Sequence, residues 1–242
     1  SGSDDCTIRR WDRKGSKLEP FTLIQSESLS CGQSQNPQGL LAIPNSPVSV
    51  LRLMPENSNR LAVGLENGTV ELWDVPTGKK IDNLKPPQQQ KTDDRVFDMV
   101  FSQDSKYLFI GHGSGHLIVW QRSSPDRFQL ANSAHPIDLE KLIPDLQVRA
   151  LALNPAQNTL VIGGNYKRFV VLSGQHQVIE ANNPQIAIQK LEKLDENLSA
   201  GSGDYIWGLA FAPNAPSTLA TADSDGYITI WDLTSCTQGG SA

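Results

Sequence analysis

The chain has 242 residues, of which 38% are hydrophobic and 19% are charged, and its net charge is -5. This balance excludes a disordered chain, and an acidic protein without a Lys/Arg cluster is not expected to bind nucleic acid. No apolar run approaches the length of a membrane span, so we expect no membrane partner. The three cysteines, Cys6, Cys31 and Cys236, fit neither a disulfide framework nor a zinc site. They favour a reducing compartment such as the cytoplasm, and the alternative is a secreted protein with a spare thiol.

A short motif that ends in Trp, or in Leu at one copy, recurs along the whole chain. The copies cover residues 1–12, 66–74, 114–121, 166–173 and 223–232, with Trp11, Trp73, Trp120, Leu172 and Trp231 in the last apolar slot. A second stretch precedes four of these motifs and aligns without gaps at 48–55, 96–103, 148–155 and 206–213. The regular spacing predicts a repeated structural unit, and all the length variation lies between units.

Each unit has the pattern of short antiparallel strands. Apolar residues alternate or cluster in runs, and Asn67-Gly68 and Asp225-Gly226 are favoured two-residue hairpin turns in which both central residues need positive φ. For the second unit we predict strands near 48–53, 61–65, 69–73 and 79–84. Outer fourth strands are predicted at 21–24, 80–84, 128–130 and 186–189. A single sheet of this kind cannot bury both faces, whereas several sheets stacked around an axis can.

The Trp-Asp endings, the Asp-Gly turn and the strand ends Phe211-Ala212-Pro213 and Leu153-Asn154-Pro155 resemble the WD-repeat family. The resemblance implies an all-β fold, a β-propeller of four-stranded antiparallel blades. It divides the chain into a partial blade at 1–24, full blades at 48–84, 96–131 and 148–192, and a terminal blade at 205–232 that lacks its outer strand.

A little more than four blades suggests part of a larger propeller, completed by a second copy or by another segment. The alternative is a small closed ring in which residues 21–24 pair beside Trp231. The family's buried His, Ser/Thr, Asp and Trp tetrad is not expected to be complete, because the Gly-His dipeptide is missing ahead of all four innermost strands. We therefore expect the blades to depend mainly on apolar packing.

In WD-repeat proteins the second residue of the innermost-strand stretch lies near the rim of the central channel, where partners often bind. In this chain that slot holds Ser49, Phe97, Arg149 and Trp207. Aromatic residues and Arg are enriched in binding hot spots, so these four residues are the predicted partner-binding site. The competing interpretation is that they simply fill the channel.

Catalytic, metal and cofactor sites are not predicted. His112 and His116 flank a turn and are too few for a metal site, and no phosphate-loop or dinucleotide fingerprint is present. Three long connections, 26–46, 137–143 and 180–203, are secondary binding candidates, and 137–143 is predicted to form one or two helical turns. The predicted function is a non-catalytic scaffold for protein or peptide partners; the alternatives are a sensor or regulatory module of a larger protein, or a small-ligand or enzymatic site in the channel.

Overall fold

The structure is a computed structural model that describes residues 1, 2, 4, 6, 8, 11–14, 17–20, 46–87, 94–131, 137–139, 147–154, 159–165, 169–173, 188–190 and 205–233. Its strands in chain order are β1 (Trp11–Lys14), β2 (Lys17–Pro20), β3 (Val48–Met54), β4 (Asn57–Leu65), β5 (Val70–Asp74), β6 (Lys79–Leu84), β7 (Val96–Phe101), β8 (Tyr107–His112), β9 (His116–Ser124), β10 (Arg127–Leu130), β11 (Ile137–Asp138), β12 (Ala150–Asn154), β13 (Thr159–Gly163), β14 (Phe169–Ser173), β15 (Ile188–Lys190), β16 (Ile206–Ala212), β17 (Ala215–Asp223) and β18 (Ile228–Asp232). None of the segments described here forms an apolar helix long enough to cross a bilayer.

The strands form five antiparallel sheets in the order of the chain, which we number as blades. Blade 1 is the pair β1-β2, and blade 2 is β3-β4-β5-β6. Blade 3 is β7-β8-β9-β10, with β11 also paired to β9, and blade 4 is β12-β13-β14-β15. Blade 5 has the three described strands β16-β17-β18. The fold is therefore all-β and built from propeller blades, as predicted.

The predicted strand windows of the second unit are confirmed by β3 to β6, although β4 begins earlier than expected, at Asn57. The outer strands predicted at 80–84 and 128–130 are confirmed by β6 and β10. The one predicted at 186–189 overlaps β15, and the one at 21–24 lies outside the described residues.

The prediction of helical turns at 137–143 is wrong at its start. Ile137 and Asp138 form strand β11, which pairs with Leu117 and His116 of β9. The backbone N–H groups of Ala131 and Leu139 donate to Val119 and Gly115, so both ends of this connection join the outer edge of one strand. Leu139, the next residue, is in a 3₁₀ helix, so cross-strand pairing replaces the predicted helical pattern only at Ile137 and Asp138.

The predicted turn geometry is also wrong in one respect. Gly68 has a φ of 80°, but Asn67 is not in the positive-φ region, and the Leu65 N–H bonds to the Thr69 carbonyl. The loop thus has three residues and ends in a left-handed glycine, rather than two residues that both have positive φ. The Asn67 side chain caps it by accepting from the N–H of Thr69 at 3.1 Å.

The hydrophobic core lies between blades, because each sheet buries its faces against its neighbours. Between blades 3 and 4, Phe109 and Leu117 pack with Val148 and Leu151. Equivalent clusters join blades 1 and 2, blades 2 and 3, and blades 4 and 5. Strands β3, β7, β12 and β16, the first strands of blades 2 to 5, are successive neighbours, so they form the inner wall of the stack.

A glycine recurs at the closest approach of each pair of blades. Gly2, Gly64, Gly111 and Gly163 lie nine residues before the last apolar slot of their motifs, and an added Cβ at each would clash with Val48, Val96, Val148 and Ile206 of the next blade, respectively. The glycines therefore let a β-branched side chain of one blade sit against the backbone of another. The slot in blade 5 holds Ala222, paired with Gly208.

Asp98 links three blades through one buried carboxylate. Asp98 lies on β7 of blade 3. Its carboxylate accepts a hydrogen bond from Arg52 Nη2 of blade 2 at 2.5 Å and another from the Leu151 N–H of blade 4 at 2.8 Å. Burial raises the pKa of Asp98, while Arg52 and the backbone donors from Leu151 and Met99 act in the opposite direction. Both oxygens of the carboxylate have partners, as a buried charge requires.

Cys6 is buried and disulfide-bonded. The prediction that the cysteines do not form a disulfide is therefore wrong for this residue. Disulfides persist mainly in oxidising environments, so cysteine usage no longer supports a reducing compartment.

Candidate functional site

The structure brings three of the four predicted binding residues together. Phe97 and Trp207 are the second residues of β7 and β16, and Arg149 directly precedes β12. The Arg149 Cζ lies 3.9 Å from the centroid of the Phe97 ring and 5.3 Å from that of Trp207. Adjacent inner strands therefore place these side chains, from three successive blades, around one guanidinium.

Tyr205 is a fourth member of this group that the sequence analysis missed. Its ring centroid is 4.4 Å from Arg149 Cζ and 5.7 Å from the Trp207 ring. Tyr205 lies two residues before Trp207, and residues two apart on an extended chain point to the same side, which is the signal that could have identified it. We call Phe97, Arg149, Tyr205 and Trp207 the rim cluster.

Arg149 is held at the centre of the rim cluster by polar groups that carry no formal charge. Its Nη2 donates to Gln147 Oε1 at 2.7 Å, and its side chain also bonds Tyr205. Its Nε is buried and has no hydrogen-bond partner among the described residues. Burial lowers the pKa of Arg149, Tyr205 raises it, and the nearby positive charge of Arg95 lowers it.

Phe97 is fixed from two sides. A Cβ added to Gly113 would come within 2.7 Å of Phe97 Cε2, so the ring lies directly on glycine backbone. Arg95 Cζ is 5.4 Å from the centroid of the same ring, and its Nη1 pairs with Glu66 Oε1 at 3.0 Å. Two guanidinium groups thus share one aromatic ring, and one of them already has a carboxylate partner.

Ser49 takes no part in the rim cluster through the contacts of the described residues. Its Oγ donates to the Gly64 carbonyl at 2.9 Å, across the β3-β4 pair of its own blade. The hydroxyl is thereby used in fixing the local sheet.

His112 and His116 belong to the β8-β9 hairpin, as predicted. Asp94 fastens this hairpin by accepting from the Ser114 N–H at 2.7 Å and from Ser114 Oγ at 2.5 Å. His112 is buried, its Nδ1 is 2.9 Å from the Asp94 carbonyl oxygen, and burial lowers its pKa.

The Ser114 hydroxyl also lies 2.6 Å from His116 Nδ1. In a Ser-His-Asp triad the carboxylate orients the histidine, whereas here the carboxylate of Asp94 accepts a hydrogen bond from the serine hydroxyl itself. The described residues contain no group of three or more His, Cys, Asp or Glu that could hold a metal ion.

Equivalent positions of the repeat hold different residues and bonds from blade to blade. In blade 5, Trp231 Nε1 donates to Thr221 Oγ1 at 3.0 Å. In blade 2, Trp73 Nε1 instead donates to the buried carboxylate of Glu71, which also binds Lys80 Nζ at 3.0 Å. The Trp–Ser/Thr bond of a full tetrad is thus replaced in blade 2 by an ion pair under the indole.

The stacked antiparallel sheets and the repeated motif that they carry resemble those of WD-repeat β-propellers. Residues 193–232 match the family model described as WD domain, G-beta repeat. This match coincides with most of blade 5, the blade that keeps the Trp231–Thr221 bond.

Several known proteins are similar to parts or all of the chain. A guanine nucleotide-binding protein subunit beta of Nicotiana tabacum is 28% identical over 120 residues, covering 50% of this chain and 27% of that protein. The nuclear distribution protein nudF of Aspergillus niger is 24% identical over 99% of this chain and 57% of its own length. The protein transport protein SEC31 of Dictyostelium discoideum is 18% identical over 95% of this chain and 15% of its own length. The matched part is therefore less than two thirds of each of these relatives.

Proposed function

We propose that the chain is a non-catalytic scaffold that binds protein or peptide partners through the rim cluster. The observation that carries the proposal is that Trp207 keeps 54% of its surface exposed while its neighbours Phe97 and Tyr205 pack around Arg149. Exposed aromatic residues next to Arg are the composition of binding hot spots. One of the similar proteins is by its name a subunit of a guanine nucleotide-binding protein, which supports a role in assemblies.

The proposal includes the absence of catalysis and of a cofactor. It is supported by the hydrogen bonds among Asp94, Ser114, His112 and His116, because these bonds hold the β8-β9 hairpin together and so give these polar residues a structural role. It also retains the prediction of no nucleic acid, because the net charge is -5, and the prediction of no membrane partner, because no apolar run in the sequence approaches the length of a membrane span. The cytoplasmic location stays a prediction. Ser49 is kept as a predicted rim contact on blade 2.

The test compares partner capture by four forms of the protein: wild type, Trp207→Ala, Arg149→Ala and Leu53→Ala. Leu53 is the matched control, because it is a large apolar residue with the same 54% exposure and does not belong to the rim cluster. We expect proteins that are recovered by wild type and by Leu53→Ala to be depleted with both rim variants. With a recovered partner, each rim substitution is expected to cost about 2 kcal/mol of binding free energy or more.

A set of recovered proteins that is the same for all four forms contradicts the proposal. Thermal melts accompany the capture, because Trp207 is proposed as a surface contact and its truncation is expected to leave the fold intact. If Trp207→Ala unfolds the protein, the residue is a core residue and the proposed site is wrong.

We also propose that blade 5 packs against a further blade, supplied by a second copy or by another segment. This proposal keeps the predicted blade boundaries and the prediction of a larger propeller. The support is that Tyr227, just before β18, and Ile228 and Ile230 on β18 have 58%, 75% and 65% of their surface exposed. Large exposed apolar patches mark interaction surfaces. The mass in solution of wild type and of Ile228→Lys tests this: a monomer in both forms contradicts completion by a second copy.

A further inference from the structure

Arg149 is a partly buried cation for which the described part of the chain provides no anion. Its neighbours are three aromatic rings, the amide oxygen of Gln147 and the hydroxyl of Tyr205. The other guanidinium near Phe97, that of Arg95, differs because Glu66 neutralises it at 3.0 Å. The rim cluster therefore holds one positive charge in excess, on a protein whose net charge is -5.

The surroundings of Arg149 make an unpaired positive charge at this position energetically unfavourable. The rings displace water from the guanidinium, and the positive charge of Arg95 adds repulsion. An Arg side chain has five N–H donors in a planar fork, and the described acceptors around Arg149 do not satisfy all of them, since none of them binds Nε. An incoming anion would offset both the lost hydration and the repulsion, and a guanidinium binds carboxylate and phosphate groups in the same bidentate geometry.

Aromatic rings also bind cations, which makes a basic peptide the competing ligand. In this site the ring of Phe97 is already covered by Arg149 at 3.9 Å and faces Arg95 at 5.4 Å. A cationic side chain from a partner would have to displace Arg149 or approach two guanidinium groups. The charge of the rim cluster thus selects against a cation and for an anion.

We propose that the rim cluster binds an anionic group of a peptide, a carboxylate or a phosphate, at Arg149, with an apolar neighbour of that group packed on the exposed face of Trp207. This inference rests on the proposed function and specifies the chemistry of its partner. The charge of Arg149, surrounded by aromatic rings, determines which group of the peptide is recognised. The flanking residues of the peptide add contact area.

The test uses four synthetic peptides, acetyl-Leu-Ala-Z-Ala-Leu-amide, in which Z is Glu, phosphoserine, Gln or Lys. Each is titrated into the full chain labelled with ¹⁵N at tryptophan, and the indole N–H signals of the five tryptophans are followed by NMR. The signal of Trp207 is assigned as the one missing from Trp207→Ala. We expect the Glu and phosphoserine peptides to move this signal and to bind about tenfold more tightly than the Gln peptide, as a charge-assisted bond predicts, and the Lys peptide to bind most weakly.

Three variants separate charge recognition from general contact. Arg149→Gln is expected to abolish the preference for the anionic peptides, and Arg149→Lys to keep a weakened preference because it keeps the charge without the fork. Arg122→Gln is the control, because Arg122 pairs with Glu56 on another surface and its loss is expected to change nothing at Trp207.

The inference is overturned if the Glu and Gln peptides bind equally, or if the preference for anionic peptides survives in Arg149→Gln. It is also overturned if the anionic peptides leave the Trp207 signal unmoved at 10 mM, roughly the weakest affinity that the titration can measure. A stronger response to phosphoserine than to Glu identifies phosphate as the source of the anion, and an equal response shows that a carboxylate is sufficient. The capture experiment decides the proposed function separately: a partner lost with Trp207→Ala but without anion preference removes only this inference.

Discussion

Gly111→Ala is expected to weaken the interface between blades 3 and 4. Gly111 lies on β8, and a Cβ at this position would overlap Val148 Cγ1, lie 3.2 Å from Val148 Cβ and lie 3.5 Å from Leu151 Cδ1. The backbone of Gly111 is not in the positive-φ region, so alanine is acceptable for the chain itself. The whole effect must therefore come from the contact with the neighbouring blade.

The magnitude follows from the cost of overpacking a buried contact. Val148 is fully buried and β-branched, so its side chain has little freedom to rotate away from the new methyl group. Inserting a methyl into such a contact costs about 1–3 kcal/mol, because the side chain leaves its rotamer or the strands move apart. Val148→Ala removes the clashing methyl groups, so the double variant is expected to be more stable than the two single effects predict when added.

The assay is urea unfolding of wild type, Gly111→Ala, Val148→Ala and the double variant, followed by tryptophan fluorescence and circular dichroism. Gly208→Ala is the matched control, because its added Cβ would meet only the Cβ of Ala222, at 3.6 Å. If Gly111→Ala is as stable as Gly208→Ala, or if the effects of Gly111→Ala and Val148→Ala simply add, the close approach of the blades is not the cause and the reasoning is refuted.

Three further predictions concern stability. Thr221→Val removes the acceptor of the Trp231 indole N–H and is expected to cost about 0.5–1.5 kcal/mol in denaturant unfolding; an unchanged midpoint contradicts the bond. Gly226→Ala, at a φ of 85° with open space around the added Cβ, is expected to cost about 1–2 kcal/mol through left-handed backbone strain alone, and no loss in a thermal melt argues against that conformation. Because burial lowers the pKa of His112, the unfolded chain binds a proton more readily, so stability is full above about pH 6.5 and falls on acidification below it. His112→Asn is expected to lose less stability than wild type between pH 7.5 and about pH 5.5, and parallel pH profiles contradict this.

The strand pattern could be predicted because it depends on local features. The strand at 48–53 follows from a run rich in apolar residues, and the constant spacing inside each unit fixes the order of the strands. Features that depend on contacts between distant residues were predicted poorly. The strand at Ile137 exists because β9 offers a free edge, and no local pattern encodes that edge.

The binding site shows the same division. Phe97, Arg149 and Trp207 could be selected because they occupy one register position of the repeat, and the inner strands bring that position together in space. Tyr205 lies outside the repeat register, so its contact with Arg149 required the structure. The disulfide of Cys6 could not be predicted either, since spacing along the chain says nothing about which side chains meet.

The carboxylate of Asp98 changes how the blades are expected to come apart. In an array of repeats that touch only their nearest neighbours, the units can open one at a time. The stability of such an array is the sum of the stability of each repeat and of each interface between neighbours. Asp98 joins Arg52 on one side to the Leu151 backbone on the other, so blades 2 and 4 are coupled through blade 3. We therefore expect these three blades to exchange their amide hydrogens as one cooperative block, more slowly than blade 5, which lies beyond the reach of this carboxylate.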